Sequence, residues 1–241
     1  MDTLIFILKI YIMLLLFLFL LFNLANCTEV INLNTTNSIV LKGEINKKSV
    51  SDFLYELNQK EDKNDLIVYL DTNGGSVHEG MKIISELEKY NYSCIAERAY
   101  SMGFAILQSC KNRYILPHGS IMQHQMSLGI MNEKGKIQNY LRYIDSVDDL
   151  MTTKQASRIG LSNDEFNLRT VNEWWLYGEN ALAEKCVDKV VNVECSSELT
   201  KSTYTKNNWG HTYTFSKCPL VSEPIKKKKN KDSESPFYFM I

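Results

Sequence analysis

The feature that most constrains this chain is the regular alternation of short apolar runs with amphipathic stripes between Ser38 and Val193. Ser38–Gly43 reads as a strand. Lys47–Gln59 then carries Val50, Phe53, Leu54 and Leu57 on one helical face. Leu66–Leu70 is a continuous apolar run that meets a turn at Asp71-Thr72-Asn73-Gly74-Gly75, as a buried strand does. Val77–Tyr90 repeats the helix stripe through Val77, Met81, Ile84 and Leu87. Strands are predicted at Ser93–Glu97, Arg113–Leu116 and Ser120–His124, with a helix at Ser101–Gln108 between the first two. Strand and helix alternating at this spacing imply parallel crossovers, so the fold class is α/β with a mostly parallel sheet. Lys136–Ser157 predicts a longer helix, with Ile137, Tyr140, Leu141, Ile144, Val147, Leu150 and Met151 along one side. Helices at Asn163–Thr170 and Gly178–Lys185 and a strand at Lys189–Val193 close the domain.

The two ends differ in kind from this middle. Residues 1–27 combine a short start containing Lys9, the apolar run Ile10–Phe22 and the junction Ala25-Asn26-Cys27, which is the pattern of a secretory signal cut after Cys27. Residues 3–22, with Lys9 snorkelling, also approach the ~20 residues that span a bilayer, so an uncleaved signal anchor is the rival reading. The globular domain is therefore expected over 28–195. The stretch 196–241 is polar and contains Lys226–Lys229, so it is expected to be a flexible, solvated tail. The chain has 241 residues, 44% of them hydrophobic, and a formal net charge of −1. That balance gives no global field for nucleic acid.

Six cysteines are present, and none falls in the CxxC spacing of a zinc site, so no metal is expected. A secretory signal implies an oxidising compartment, where disulfides persist. Cys94 lies on the strand that leads to Ser101, and Cys110 lies just past the helix that Ser101 begins. A helix returning antiparallel to its strand brings the two together, so a Cys94–Cys110 disulfide is expected. Asn34-Thr35-Thr36 and Asn91-Tyr92-Ser93 fit the N-glycosylation pattern, as does Asn26-Cys27-Thr28.

Three stations could carry chemistry. Asn73-Gly74-Gly75 ends a strand, and paired glycines let backbone N–H groups approach a ligand. That edge of an α/β sheet is where ligands sit. Ser101 opens an apolar helix, at the positive end of its dipole and beside free N–H groups; on position alone it also reads as a plain N-cap. His124 follows the apolar run Ile121-Met122, where a strand-end histidine with no special role is the simpler reading.

The three stations in this order resemble the Clp protease proteolytic subunit, of the wider Clp/crotonase fold. The resemblance rests on Tyr69–Gly75, on Tyr100-Ser101-Met102-Gly103, and on Leu116-Pro117 followed by Met122-Gln123-His124-Gln125. It covers roughly Ile39 to Val193. It implies a twisted sheet in β-β-α units, with Lys136–Ser157 as a projecting handle helix through which copies pair into a homo-oligomer. It also implies a serine endopeptidase acting on peptides or unfolded proteins without a cofactor. Ser101 would be the nucleophile, His124 the base, and the N–H groups of Gly75 and Met102 the oxyanion hole. Counting onward from His124 places Glu173 where the family has its aspartate, with Asn172 and Asp164 as poorer alternatives.

The chain departs from that pattern at several points. Glu173 replaces an aspartate, Asn73 a proline, and Tyr100 an alanine, which narrows the cleft. Only Thr28–Asn37 stands where the family has a docking loop and helix, so an ATP-driven unfoldase is not an expected partner. A catalytically inactive subunit serving assembly or binding is the main alternative, and a crotonase-like acyl-CoA enzyme a weaker one. The expected location is the secretory pathway, or a membrane reached through residues 3–22.

Overall fold

The computed structural model describes Tyr11, Met13 and residues 29–229. Apart from Tyr11 and Met13, the signal or anchor expected over 1–27 lies outside the described residues, as do the Asn26 glycosylation pattern and the end of the chain from 230. Among the described residues, no helix is long and apolar enough to cross a membrane.

The predicted alternation is realised as β2 (Ser38–Ile45), α1 (Lys47–Asn58), β3 (Ile67–Gly75), α2 (Val77–Leu87), β4 (Ser93–Tyr100), α3 (Met102–Ser109) and β5 (Asn112–Gln123). Strands β2, β3, β4 and β5 lie side by side, each parallel to the next. Asn46 caps α1 through a reciprocal box with Ser49, which fixes where strand becomes helix. The sheet is covered on both faces, as parallel sheets are. One face meets the helices, with Phe53, Ile83, Leu107 and Ala156 among its buried members. The other face presents Tyr69, Ile95 and Leu116 to a second cluster with Leu33, Val191, Leu199 and Cys218.

β5 is one strand rather than the two expected over Arg113–Leu116 and Ser120–His124. It changes partner on either side of Pro117–Gly119. Its first half pairs in parallel with β7 (Lys189–Val190), and its second half pairs antiparallel with β6 (Trp174–Tyr177). Beyond it runs α4 (Lys134–Ile159), 26 residues long and ended by Gly160 in the left-handed region. Only its last turns are buried, through Met151, Thr152, Gln155, Ala156 and Ile159. The preceding turns carry exposed Tyr140, Leu141 and Leu150, so the helix projects from the body. Helices α5 (Asn163–Thr170) and α6 (Gly178–Ala183) flank β6.

The stretch from Ser196, expected to be a flexible tail, is folded over its described part. It forms α7 (Ser197–Lys201) and a three-stranded antiparallel sheet of β9 (Thr203–Asn208), β10 (His211–Ser216) and β11 (Lys226–Lys229). The cause is not local periodicity. A disulfide joins Cys195 to Cys218, and Leu199 and Cys218 are buried in the second cluster. β1 (Val30–Leu33), where no strand was predicted, runs parallel to β8 (Asn192–Cys195), which overlaps the end of the strand predicted over Lys189–Val193; both lie on the same face as that cluster.

Candidate active site

The site is built from the ends of β3, β4 and β5. Gly74 sits at φ +90°, and a Cβ there would meet Tyr100 O at 2.6 Å and Ser101 Cβ at 2.7 Å. A Cβ on Gly75, at φ +144°, would meet Ile45 O at 2.4 Å. Both glycines are therefore required for the backbone of β3 to pass this close to β2 and to Ser101. Ser76, one residue on, donates to Ile45 O at 2.8 Å and caps α2 by accepting from Glu79 N.

Ser101 occupies the turn between β4 and α3 at φ 53°, ψ −118°, a strained conformation for a residue with a Cβ. It is held there by its own N–H, which donates to Met122 O at 2.8 Å. Its side chain makes no capping bond to α3. The plain N-cap reading therefore fails: Oγ lies 2.9 Å from His124 Nε2 instead. Met102 is the first helical residue, so its N–H belongs to the orphan donors at a helix start. The disulfide Cys94–Cys110, Cα–Cα 5.8 Å, ties β4 to the far end of α3, across the segment that aims Ser101.

His124 is the first residue past β5. Its backbone N–H donates to Gln123 Oε1 at 3.1 Å, while the Gln123 amide donates to Gln155 Oε1 and Gln155 in turn donates to Met151 O. This buried pair of amides connects His124 to the foot of α4. Sequence reasoning missed it; the only signal was a polar Gln155 one turn from the apolar Met151. At the other end of β5, Arg113 is buried against Asp188. Its guanidinium donates to both carboxylate oxygens and its N–H to Oδ2. Burial raises the Asp188 carboxyl, but the hydrogen bonds from Arg113 outweigh it, so the group stays below its ordinary value.

Gly75, Ser101, Met102 and His124 line one cavity of about 150 Å³. Its lining contains neither Glu173 nor Asn172 nor Asp164. The expectation for Glu173 is corrected in its side chain, not in its backbone. β6 runs antiparallel to β5 with Gln123 opposite Trp174, so the same register carried one residue on sets Glu173 opposite His124. It stands there at φ 62°, exposed, and its carboxylate accepts the Trp175 indole N–H at 3.0 Å. The local hydrogen bond from Trp175 of β6 captures the carboxylate, and no bond to His124 is formed. Trp175 packs edge-on against Tyr100 at 4.9 Å, and Tyr100 OH meets Ser120 Oγ at 2.7 Å. Trp174 is half-buried, with the Arg169 guanidinium over its ring. The acidic residue that does line the cavity is Asp148, from α4.

A parallel sheet flanked by helices, with a projecting helix and its polar constellation at the carboxyl ends of the strands, defines an α/β protein of the Clp/crotonase type. The chain belongs to the Clp protease family, whose model matches residues 25–194. It is 27% identical over 139 residues to the ATP-dependent Clp protease proteolytic subunit 2 of Tropheryma whipplei (strain Twist), covering 56% of this chain and 77% of that protein.

Proposed function

We propose that this chain is a serine peptidase that hydrolyses peptide bonds through an acyl-enzyme on Ser101. The observation that carries the reading is the 2.9 Å approach of Ser101 Oγ to His124 Nε2, with Ser101 held in a strained turn. With its ring hydrogen on Nδ1, His124 accepts the serine proton at Nε2 as Oγ bonds to the peptide carbonyl carbon. The N–H groups of Gly75 and Met102 stabilise the developing oxyanion. The C–N bond breaks as the imidazolium returns that proton to the leaving amine. A water, deprotonated by the same nitrogen, then hydrolyses the ester and frees Ser101. The test is a fluorophosphonate probe: one label per chain on Ser101, absent from Ser101→Ala, supports the reading. An unlabelled wild-type protein overturns it.

A second reading, a catalytically inactive subunit kept for assembly or binding, is favoured by one observation. The Glu173 carboxylate is bonded to Trp175 rather than to the imidazole. The same probe separates the two. Homo-oligomerisation through α4 is supported by its exposed Tyr140, Leu141 and Leu150 and is checked by light scattering. Residence in the secretory pathway or on its membrane is supported by the two disulfides, which persist in an oxidising compartment. Protease protection of the chain with and without residues 1–27 tests the location.

A further inference from the structure

The cavity that contains Ser101 and His124 has one other ionisable wall residue, Asp148. It lies on the face of α4 that continues through Met151, Thr152 and Gln155, all of which line the same cavity. It is half-buried and makes no hydrogen bond or ion pair among the described residues. Its helical neighbours three and four positions away are Ile144, Asp145, Met151 and Thr152, so its own helix offers no cation. The nearest cations along α4 are engaged elsewhere, Arg142 with Asn139 and Lys154 with Glu88. Arg169 of the neighbouring α5 pairs with Glu184. Burial raises the Asp148 carboxyl above its ordinary value, and Asp149 and Asp145 push it the same way. A positive charge is what this position lacks.

Resting on the peptidase reading, the geometry points to Asp148 as the residue that selects a cationic side chain, lysine or arginine, next to the bond attacked by Ser101. The stem of such a side chain fits the apolar walls of Val77, Ala105, Met151 and Phe166, and its charged head reaches the carboxylate. An uncharged stem of the same length would leave Asp148 unpaired. The chemistry is that of a charge-assisted hydrogen bond in a partly desolvated site.

The test compares two peptides that differ only at that residue, lysine against norleucine. Binding is measured by fluorescence anisotropy on the full chain carrying Ser101→Ala, so that it does not depend on turnover. The lysine peptide should bind at least ~10-fold more tightly. Asp148→Asn should abolish that preference, chiefly by weakening binding of the lysine peptide, and Asp148→Glu should retain it. Equal binding of the two peptides by the Ser101→Ala chain overturns the inference. So does an unaltered preference in Asp148→Asn, or a loss explained by a changed oligomer size in light scattering, which would assign Asp148 to contacts between copies. If wild-type protein fails to label with fluorophosphonate, the peptidase reading falls, yet the binding comparison still decides the role of Asp148.

Discussion

The two flanks of the candidate site are built by different means. On the flank of the serine and the histidine, Ser101 and His124 follow the ends of adjacent parallel strands. The ladder between them, Ala99 to Ile121 and Tyr100 to Met122, fixes their separation. A disulfide behind Ser101, a buried amide pair beside His124 and the Arg113–Asp188 anchor at the start of β5 add to that. On the carboxylate flank, Glu173 stands in a turn before a four-residue strand, and the direction of its carboxylate rests on one exposed hydrogen bond to Trp175. Backbone geometry decides the first flank, and a single rotamer decides the second. The contrast teaches that a serine–histidine contact can be fixed by the backbone while the carboxylate opposite the histidine is held elsewhere.

The largest expected effect breaks the first flank. Ser101→Ala and His124→Ala should each lower kcat by ~10⁴-fold or more, with the double variant little worse than either, as for residues acting as one unit. Steady-state kinetics on a fluorogenic peptide checks this; multiplicative losses would show that the two do not act together.

Removing the staple behind Ser101 comes next. A bridge that closes a loop of 16 residues contributes ~3 kcal/mol in the chain-entropy account. Cys94→Ala/Cys110→Ala should lower stability by about that amount in urea unfolding and slow fluorophosphonate labelling. Cys195→Ala/Cys218→Ala should loosen the β9–β11 sheet and leave labelling unchanged, because that bridge lies on the face of the sheet opposite α3. Cys186, buried and with its thiol pushed up to about 12, should stay unalkylated in the native protein.

Asp188→Asn should cost roughly 2 kcal/mol at pH 7, less than a fully buried pair because the carboxylate is partly exposed. The native Asp188 carboxyl lies below its ordinary value of 3.8, so its contribution is complete above that pH and is lost as pH falls through the lower native value. The stability gap between wild type and Asp188→Asn should therefore close on acidification below 3.8, as read by thermal melts across pH. A gap that persists there would mean the anchor acts by packing.

The smallest effect is expected on the second flank. With its carboxylate on Trp175, Glu173→Gln should change kcat by less than ~10-fold, since an amide oxygen can still accept the indole N–H. A ~10⁴-fold loss, as when a triad acid is made neutral, would show that the carboxylate reaches His124 during turnover and would dissolve the contrast.

Much of the first flank was legible in the sequence because its signals are local and backbone-borne. The Gly74-Gly75 pair, the apolar helix behind Ser101 and the strand ending at His124 each leave a mark in consecutive residues. The second flank was legible only as a position: Glu173 falls opposite His124 in the register of β5 and β6, but the preference of its side chain for Trp175 has no sequence signature. β6 was missed because four residues carrying two tryptophans show no alternation. The C-terminal sheet was missed because Leu199, Cys218 and Cys195 are single apolar points in a polar stretch, and what buries them is a disulfide to the back of the sheet.

By itself, the sequence determined the α/β alternation, the strand-end placement of Ser101 and His124, and the two glycines without which the strands could not approach. Each of these follows from steric and periodic constraints acting over a few residues. Only the tertiary structure decided where the Glu173 carboxylate points, that Asp148 faces the same cavity as Ser101, and that the chain beyond Ser196 folds. Those outcomes depend on contacts between residues far apart in the chain and on competition among hydrogen-bond partners that only folding brings within reach.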